Sequence, residues 1–206
     1  MELIADGVSV AGLHGPLLLP TSLRATPRQV TVVAGDPGHG HTALALALGG
    51  RVTTASGEVT LDGSPDAALR RRHVSLVDVP DVTSPEDSLS VRAAMAEQLA
   101  LAGRPSSRAA TRAFLGGRGS GALATMRFET LPSHERTSLL MQVAASRAAT
   151  TVLVVSAPDR FGGDPGRWWR TAEDLAAEGL TVVVQCTHAT AKGLAKGIHF
   201  ELGVSA

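Results

Sequence analysis

The chain has 206 residues, 44% of them hydrophobic and 18% charged, enough for one α/β domain with a sizeable core and a small insertion rather than two independent domains. Its 19 basic and 19 acidic residues cancel, so no whole-protein field gathers nucleic acid, and a nucleic-acid partner is set aside. The single Cys186 excludes an internal disulfide framework and fits a reducing compartment; with no leader-like N-terminus and no run of about eighteen apolar residues, a cytoplasmic protein is expected.

In chain order, Gln29–Ala34 (QVTVVA) is the first unbroken apolar strand, followed by a glycine-rich loop and a helical pattern over Thr42–Leu48. Glu58–Leu61 (EVTL) ends in the turn Asp62-Gly63 and reads as the end of a hairpin. Arg70-Arg71-Arg72 reads as a solvated basic face preceding the strand Val74–Val79 (VSLVDV). From about Ser84 to Thr130 no strand is evident; helices are predicted over Val91–Ala102 and Arg108–Leu115, and Gly116–Gly121 (GGRGSG) is a flexible loop. A helix over Glu135–Ala149 leads to the strand Thr151–Val155, then a helix over Arg167–Ala177 and the strand Leu180–Gln185. Adjacent helix positions do not share a face, so of Trp168 and Trp169 one is expected in the core and one on the surface. Strand and helix alternate, and the strands lack in–out alternation, so an α/β fold with a mostly parallel, doubly covered sheet is predicted. The whole of 1–206 reads as a single domain, with a helical subdomain of about 84–149 set into it.

The loop Gly35-Asp36-Pro37-Gly38-His39-Gly40-His41-Thr42, followed by Ala43, has the spacing Gly-x4-Gly-x-Thr between a strand and a helix, the context a phosphate-binding loop needs. In such a loop, backbone N–H groups curl around a phosphate, a lysine bridges its oxygens and the Ser or Thr holds Mg²⁺. His41 stands in the lysine position, and an imidazole, with a pKa of about 6.5 and a shorter arm, offers partial charge and little reach. The same glycines also serve a plain tight turn, and both readings stay open.

Further motifs follow in register. Ser56–Gly63 (SGEVTLDG), Val74–Val79 at the strand that delivers a Q-loop, Leu89-Ser90-Val91-Arg92, Leu131–Arg136 at a signature position, Thr151–Pro158 at a Walker B position, Gly163-Asp164-Pro165 as a D-loop and Thr187-His188 as a switch histidine together resemble the ATP-binding subunit of ABC transporters over nearly the whole chain. The resemblance implies a P-loop NTPase core with N-terminal antiparallel β hairpins and an inserted helical subdomain. It implies ATP or ADP held by Gly35, Gly38, His39, Gly40, His41, Thr42 and Ala43 with His14 against the base, Mg²⁺ on Thr42, a membrane permease as partner, and pairing with a second cassette as homodimer or heterodimer.

The departures are as systematic. Ser156-Ala157 replaces the Asp-Glu pair that holds Mg²⁺ and polarises water, Val79 takes the Q-loop glutamine's place, Leu131-Pro132-Ser133-His134-Glu135 replaces the LSGGQ signature, and His14 replaces the adenine-stacking aromatic. The reading is therefore a degenerate cassette without catalytic residues, a non-hydrolysing cytoplasmic subunit or regulator of a transport complex that binds nucleotide weakly and holds Mg²⁺ poorly. The alternatives are a slow ATPase and a ligand-free scaffold. His188 is either a γ-phosphate contact or a satisfied histidine at a strand end, and Asp164 either an interface group or part of a turn. His39, His41 and His134 lack metal-ligand spacing, and Cys186 reads as a small buried apolar residue rather than a nucleophile.

Overall fold

The N-terminal segment alternates buried and open positions on either side of an irregularity at Asp6-Gly7, so it buries one face of a sheet. Strands β1 (Leu3–Gly12) and β2 (Gly15–Ala25) form an antiparallel hairpin, and β4 (Ser56–Leu61) pairs antiparallel with the other edge of β1. The computed structural model describes residues 1–194 and 197–203. The second sheet has the order β5-β6-β7-β3-β8, every neighbouring pair parallel: β5 (Val74–Val77), β6 (Val152–Ser156), β7 (Thr181–Cys186), β3 (Val30–Ala34) and β8 (Ile198–Glu201). The four strands β5, β6, β7 and β3 are buried at every residue, which is why they read as continuous apolar runs.

Two cores flank this sheet. On one face, α1 (His41–Leu48) and the antiparallel sheet bury Leu44, Leu48, Leu3, Val8, Leu18, Val33, Val154 and Val183. On the other, α3 (Val91–Leu101), α5 (Ser133–Ser146) and α6 (Pro165–Ala177) bury Met95, Phe128, Met141, Trp168, Val155, Val182 and Val184. Helices α2 (Ala67–His73), α4 (Arg108–Gly116) and α7 (His188–Gly193) complete the chain. The described chain between β5 and β6 holds helices and short 3₁₀ turns but no strand.

Three local expectations are corrected. Both tryptophans are buried, Trp168 at 0% and Trp169 at 7% exposure. Trp168 sits in the helical core while Trp169, edge-on to it at 6.4 Å, lines a hollow with Val30 and Ile198, so two faces of α6 are covered. Arg70 is buried rather than solvated because its guanidinium donates to the Val59 carbonyl at 2.6 Å and the Pro65 carbonyl at 2.7 Å. Strand β5 ends at Val77, two residues early, because Asp78 turns to φ 55. Among the described residues, no helix is long and apolar enough to cross a membrane.

Candidate functional site

The glycine-rich loop leaves β3 at the carboxyl edge of the parallel sheet. Gly35 donates to the Cys186 carbonyl at 3.0 Å, and a Cβ on Gly35 would lie 2.6 Å from that of Leu202, so only glycine fits. Asp36 to His39 form an exposed turn closed by the His39 N–H on the Asp36 carbonyl, 3.1 Å. Gly38 and Gly40 take φ 92 and 103, and the Leu17 carbonyl stands where a Gly40 side chain would begin. Helix α1 then starts at His41 with no side-chain cap and no acid in its first turn. The N–H groups of His41, Thr42 and Ala43 have no partner among the described residues, which is the donor array an anion needs.

Behind the loop lies a group of polar atoms that the protein does not satisfy. His41 is half-buried with its Nε2 unpartnered. Burial pushes its pKa below the ordinary 6.5, against the Cys186 carbonyl and Asp159, which act to raise it. Ser156 ends β6 opposite Gln185 of β7, and Gln185 in turn lies opposite Val33 of β3. By strand alternation both side chains point to the α1 face, the face of Val154, Val183 and Val33. Ser156 is 1% and Gln185 0% exposed, and the Ser156 hydroxyl and both polar atoms of the Gln185 amide lack partners. Asp159, in a 3₁₀ turn over Pro158–Phe161, accepts the Thr187 N–H at 2.9 Å and hydroxyl at 2.6 Å on Oδ2, while Oδ1 is unpartnered. Sequence reading did not single out Gln185 or Asp159; the amide ending the apolar run Leu180–Gln185 was the available signal.

A buried ionic cluster flanks this floor. Arg136 of α5 donates from Nε and Nη2 to the two oxygens of Asp78 at 3.0 and 3.1 Å, and from Nη1 to Asp87 at 2.7 Å. Its guanidinium lies between the Phe128 and Phe161 rings, 4.4 and 4.3 Å from their centroids. Burial acts to lower the Arg136 pKa, but Asp78 and Asp87 outweigh it and the net shift is upward. Arg160 reaches Asp78 at 2.9 Å and also donates to the carbonyls of Ser156 at 2.7 Å and Ala157 at 3.2 Å. Val79 buries its side chain in the α1-side core, and its carbonyl accepts the N–H groups of Val82, Thr83 and Ser84.

The remaining predicted residues are dispersed. Ala157 follows Ser156 at φ 41 and brings no functional group. His14 is exposed at the tip of the β1–β2 hairpin, and it is Pro16, Leu17 and Leu19 that line a cleft of about 200 Å³ with Gly38 and His39. His188 opens α7, its Nδ1 3.5 Å from Glu201 Oε2. In the stretch Leu131 to Glu135, Pro132 precedes α5, the Ser133 hydroxyl fills the space a Gly163 side chain would take, and Glu135 accepts from the Ser120 hydroxyl at 3.0 Å. His134, 3.6 Å from Glu135, has a pKa lowered by burial and Arg167 against Glu135 and Asp164. Asp164 caps α6, accepting the Gly166 N–H at 2.9 Å. Cys186 is a buried thiol, its pKa pushed up to about 12 by burial and Asp159, which leaves it un-ionised and unreactive near neutral pH.

A resident Mg²⁺ does not fit this donor set. Asp78 is neutralised by two guanidinium groups, and the carbonyls ending β6 already hold Arg160. Asp159 keeps a single free oxygen, and among the described residues no cluster of three His, Cys, Asp or Glu side chains is placed to hold a metal.

The five-stranded parallel sheet, the glycine loop between β3 and α1, the antiparallel sheet over one face and the helical layer over the other define the P-loop fold of ABC-transporter ATP-binding subunits. Among solved structures it is similar to CbiO1 from Clostridium perfringens, part of the ABC transporter complex CbiONQ, at TM-score 0.68 and 19% identity, over 97% of this chain and 84% of that one. It is also similar to an ATP-binding subunit of an ABC transporter, at 0.69 and 12% over 98% and 86%, and to a nucleotide-free ATP-binding cassette, at 0.68 and 15% over 99% and 90%. The sequence matches no family model and no curated protein.

Proposed function

We propose that this chain is a degenerate member of the ABC cassette family, a non-hydrolysing subunit or regulator of a membrane transport complex that works in the cytoplasm and binds nucleotide weakly at the loop 35–43. The observation that carries this reading is the end of β6, where Ser156 and Ala157 bring no carboxylate to the carboxyl edge of the sheet. Loss of one preorganised electrostatic group costs about 10²–10³ in rate, and here the lysine, both acids and the Q-loop amide are replaced together. Residues 84–149 form the helical subdomain in this reading. The partner is a membrane permease, by analogy with CbiO1, which belongs to a transporter complex, and a second cassette is the other candidate partner. The free N–H groups of His41, Thr42 and Ala43 favour a ligand-binding cassette over a ligand-free scaffold.

Purified protein incubated with Mg-ATP tests the reading by phosphate release. The expected result is no release above buffer; turnover that disappears in His41→Ala would replace this reading with that of a slow ATPase.

A further inference from the structure

We propose that the loop of this protein takes a phosphate-bearing anion without a divalent cation, on the N–H groups of His41, Thr42 and Ala43, over a floor formed by His41, Ser156 and Gln185. The proposal rests on the cassette reading for the location of its ligand, but not on the absence of hydrolysis.

Two independent features carry it. The first is the unmet hydrogen-bonding capacity beneath α1. Buried polar groups in folded proteins are satisfied with few exceptions, yet His41 Nε2, Ser156 Oγ and the Gln185 Oε1 and Nε2 are all orphaned where β6, β7 and the loop after β3 come together. The serine hydroxyl and the amide NH₂ are donors suited to phosphate oxygens, and the amide and hydroxyl carry no charge to attract a cation. The sheet register aims both side chains at the α1 face, where the free helix N–H groups lie.

The second is that the oxygens around the end of β6 that could draw a cation are already engaged. Arg160 is fixed by the carbonyls of Ser156 and Ala157 and by Asp78, so the oxygens at the end of β6 that face outward are spent on a guanidinium. Arg136 shares that carboxylate and also holds Asp87, so the cluster pairs two guanidinium groups with two carboxylates. A dication brought to it would find no free pair of carboxylate oxygens, only the single open oxygen of Asp159, and the phosphate would gain little from bringing one.

Calorimetry of the whole chain with ADP, inorganic phosphate and adenosine, each in Mg²⁺ and in EDTA, tests the proposal. ADP is expected to bind with the same affinity in both buffers, within about twofold, and adenosine to bind at least about tenfold more weakly because the phosphate carries the contact. Inorganic phosphate competing with ADP would assign the site to a free anion as well as to a nucleotide. The variants Ser156→Ala and Gln185→Val are expected to keep or raise the melting temperature, since each removes an orphaned buried group, while weakening ADP about tenfold. Affinity that rises tenfold or more with Mg²⁺ in the parent protein would overturn the proposal and leave the non-hydrolysing reading standing. Absence of ADP and phosphate binding would also overturn it, as would unchanged affinity in both apolar variants, whereas ATP turnover would defeat only the non-hydrolysing reading.

Discussion

A single imidazole sets how the loop answers to pH. The His41 pKa is lowered by burial from its ordinary 6.5, so the ring is neutral at pH 7 and the unfolded chain binds more protons than the folded one just below 6.5. The sign follows: the stability contribution is intact above that value and is lost as pH falls toward the folded pKa. An anion on the neighbouring N–H groups favours the charged ring, so ligand binding takes up a proton and ADP affinity rises as the pH is lowered from 8 to 6. Calorimetry at the two pH values should show tighter binding at pH 6 in the parent, little change in His41→Ala, and a higher, nearly flat affinity in His41→Lys. A parent profile as flat as that of the alanine variant would show that the ring does not face the ligand. Gly38, Gly40 and His41 were legible in the sequence because the loop is local, its spacing written in adjacent residues. Gln185 and Asp159 were not, because their significance depends on strands brought alongside each other from distant parts of the chain.

At the scale of elements, Asp78 joins three of them: it follows β5 directly, receives Arg136 from α5 and receives Arg160 from the 3₁₀ turn after β6. The sequence VSLVDV reads as strand through Val79, since nothing nearby signals that Asp78 turns to φ 55 to meet a guanidinium 58 residues away. The helix starts are local in the same sense as the loop: Ser90, Ser107 and Thr187 each accept an N–H from the first turn that follows. Arg136 is 3% exposed, and removal of one partner of a buried ion pair leaves an uncompensated charge at a cost of about 3–5 kcal/mol. Asp78→Asn keeps a residue that tolerates positive φ, so its loss isolates the charge from the backbone. Urea unfolding of this variant should show destabilisation of about that size, whereas a loss within ordinary surface scatter would mean that Asp87 and the Phe128 and Phe161 rings suffice to hold Arg136.

At the scale of the whole molecule, the order of the four buried strands was readable because both sheet faces are covered and each is apolar along its length, whereas the half-open β2 and the mostly exposed β8 left no such run. The resemblance to ABC cassettes implies head-to-tail pairing, in which each ligand site is closed by the start of the partner's signature helix. In this chain that start is engaged within its own subunit. Pro132 has no N–H to offer, the Ser133 hydroxyl is turned against Gly163, and Glu135 accepts from Ser120 while placing negative charge at the α5 N-terminus. A phosphate approaching from a second copy would meet a carboxylate instead of free donors, so ligand binding is expected to be uncoupled from pairing. Analytical ultracentrifugation should give the same sedimentation coefficient with and without saturating ATP, in Mg²⁺ or in EDTA. A shift to a dimer on adding ATP, reversed by His41→Ala, would show that the loop of one copy still recruits α5 of another despite Glu135. The converse variant, Pro132→Ser with Glu135→Gln, frees the helix start and removes the repelling charge. If those two residues are what keeps the copies apart, ATP should drive that variant toward dimer while the parent remains unchanged.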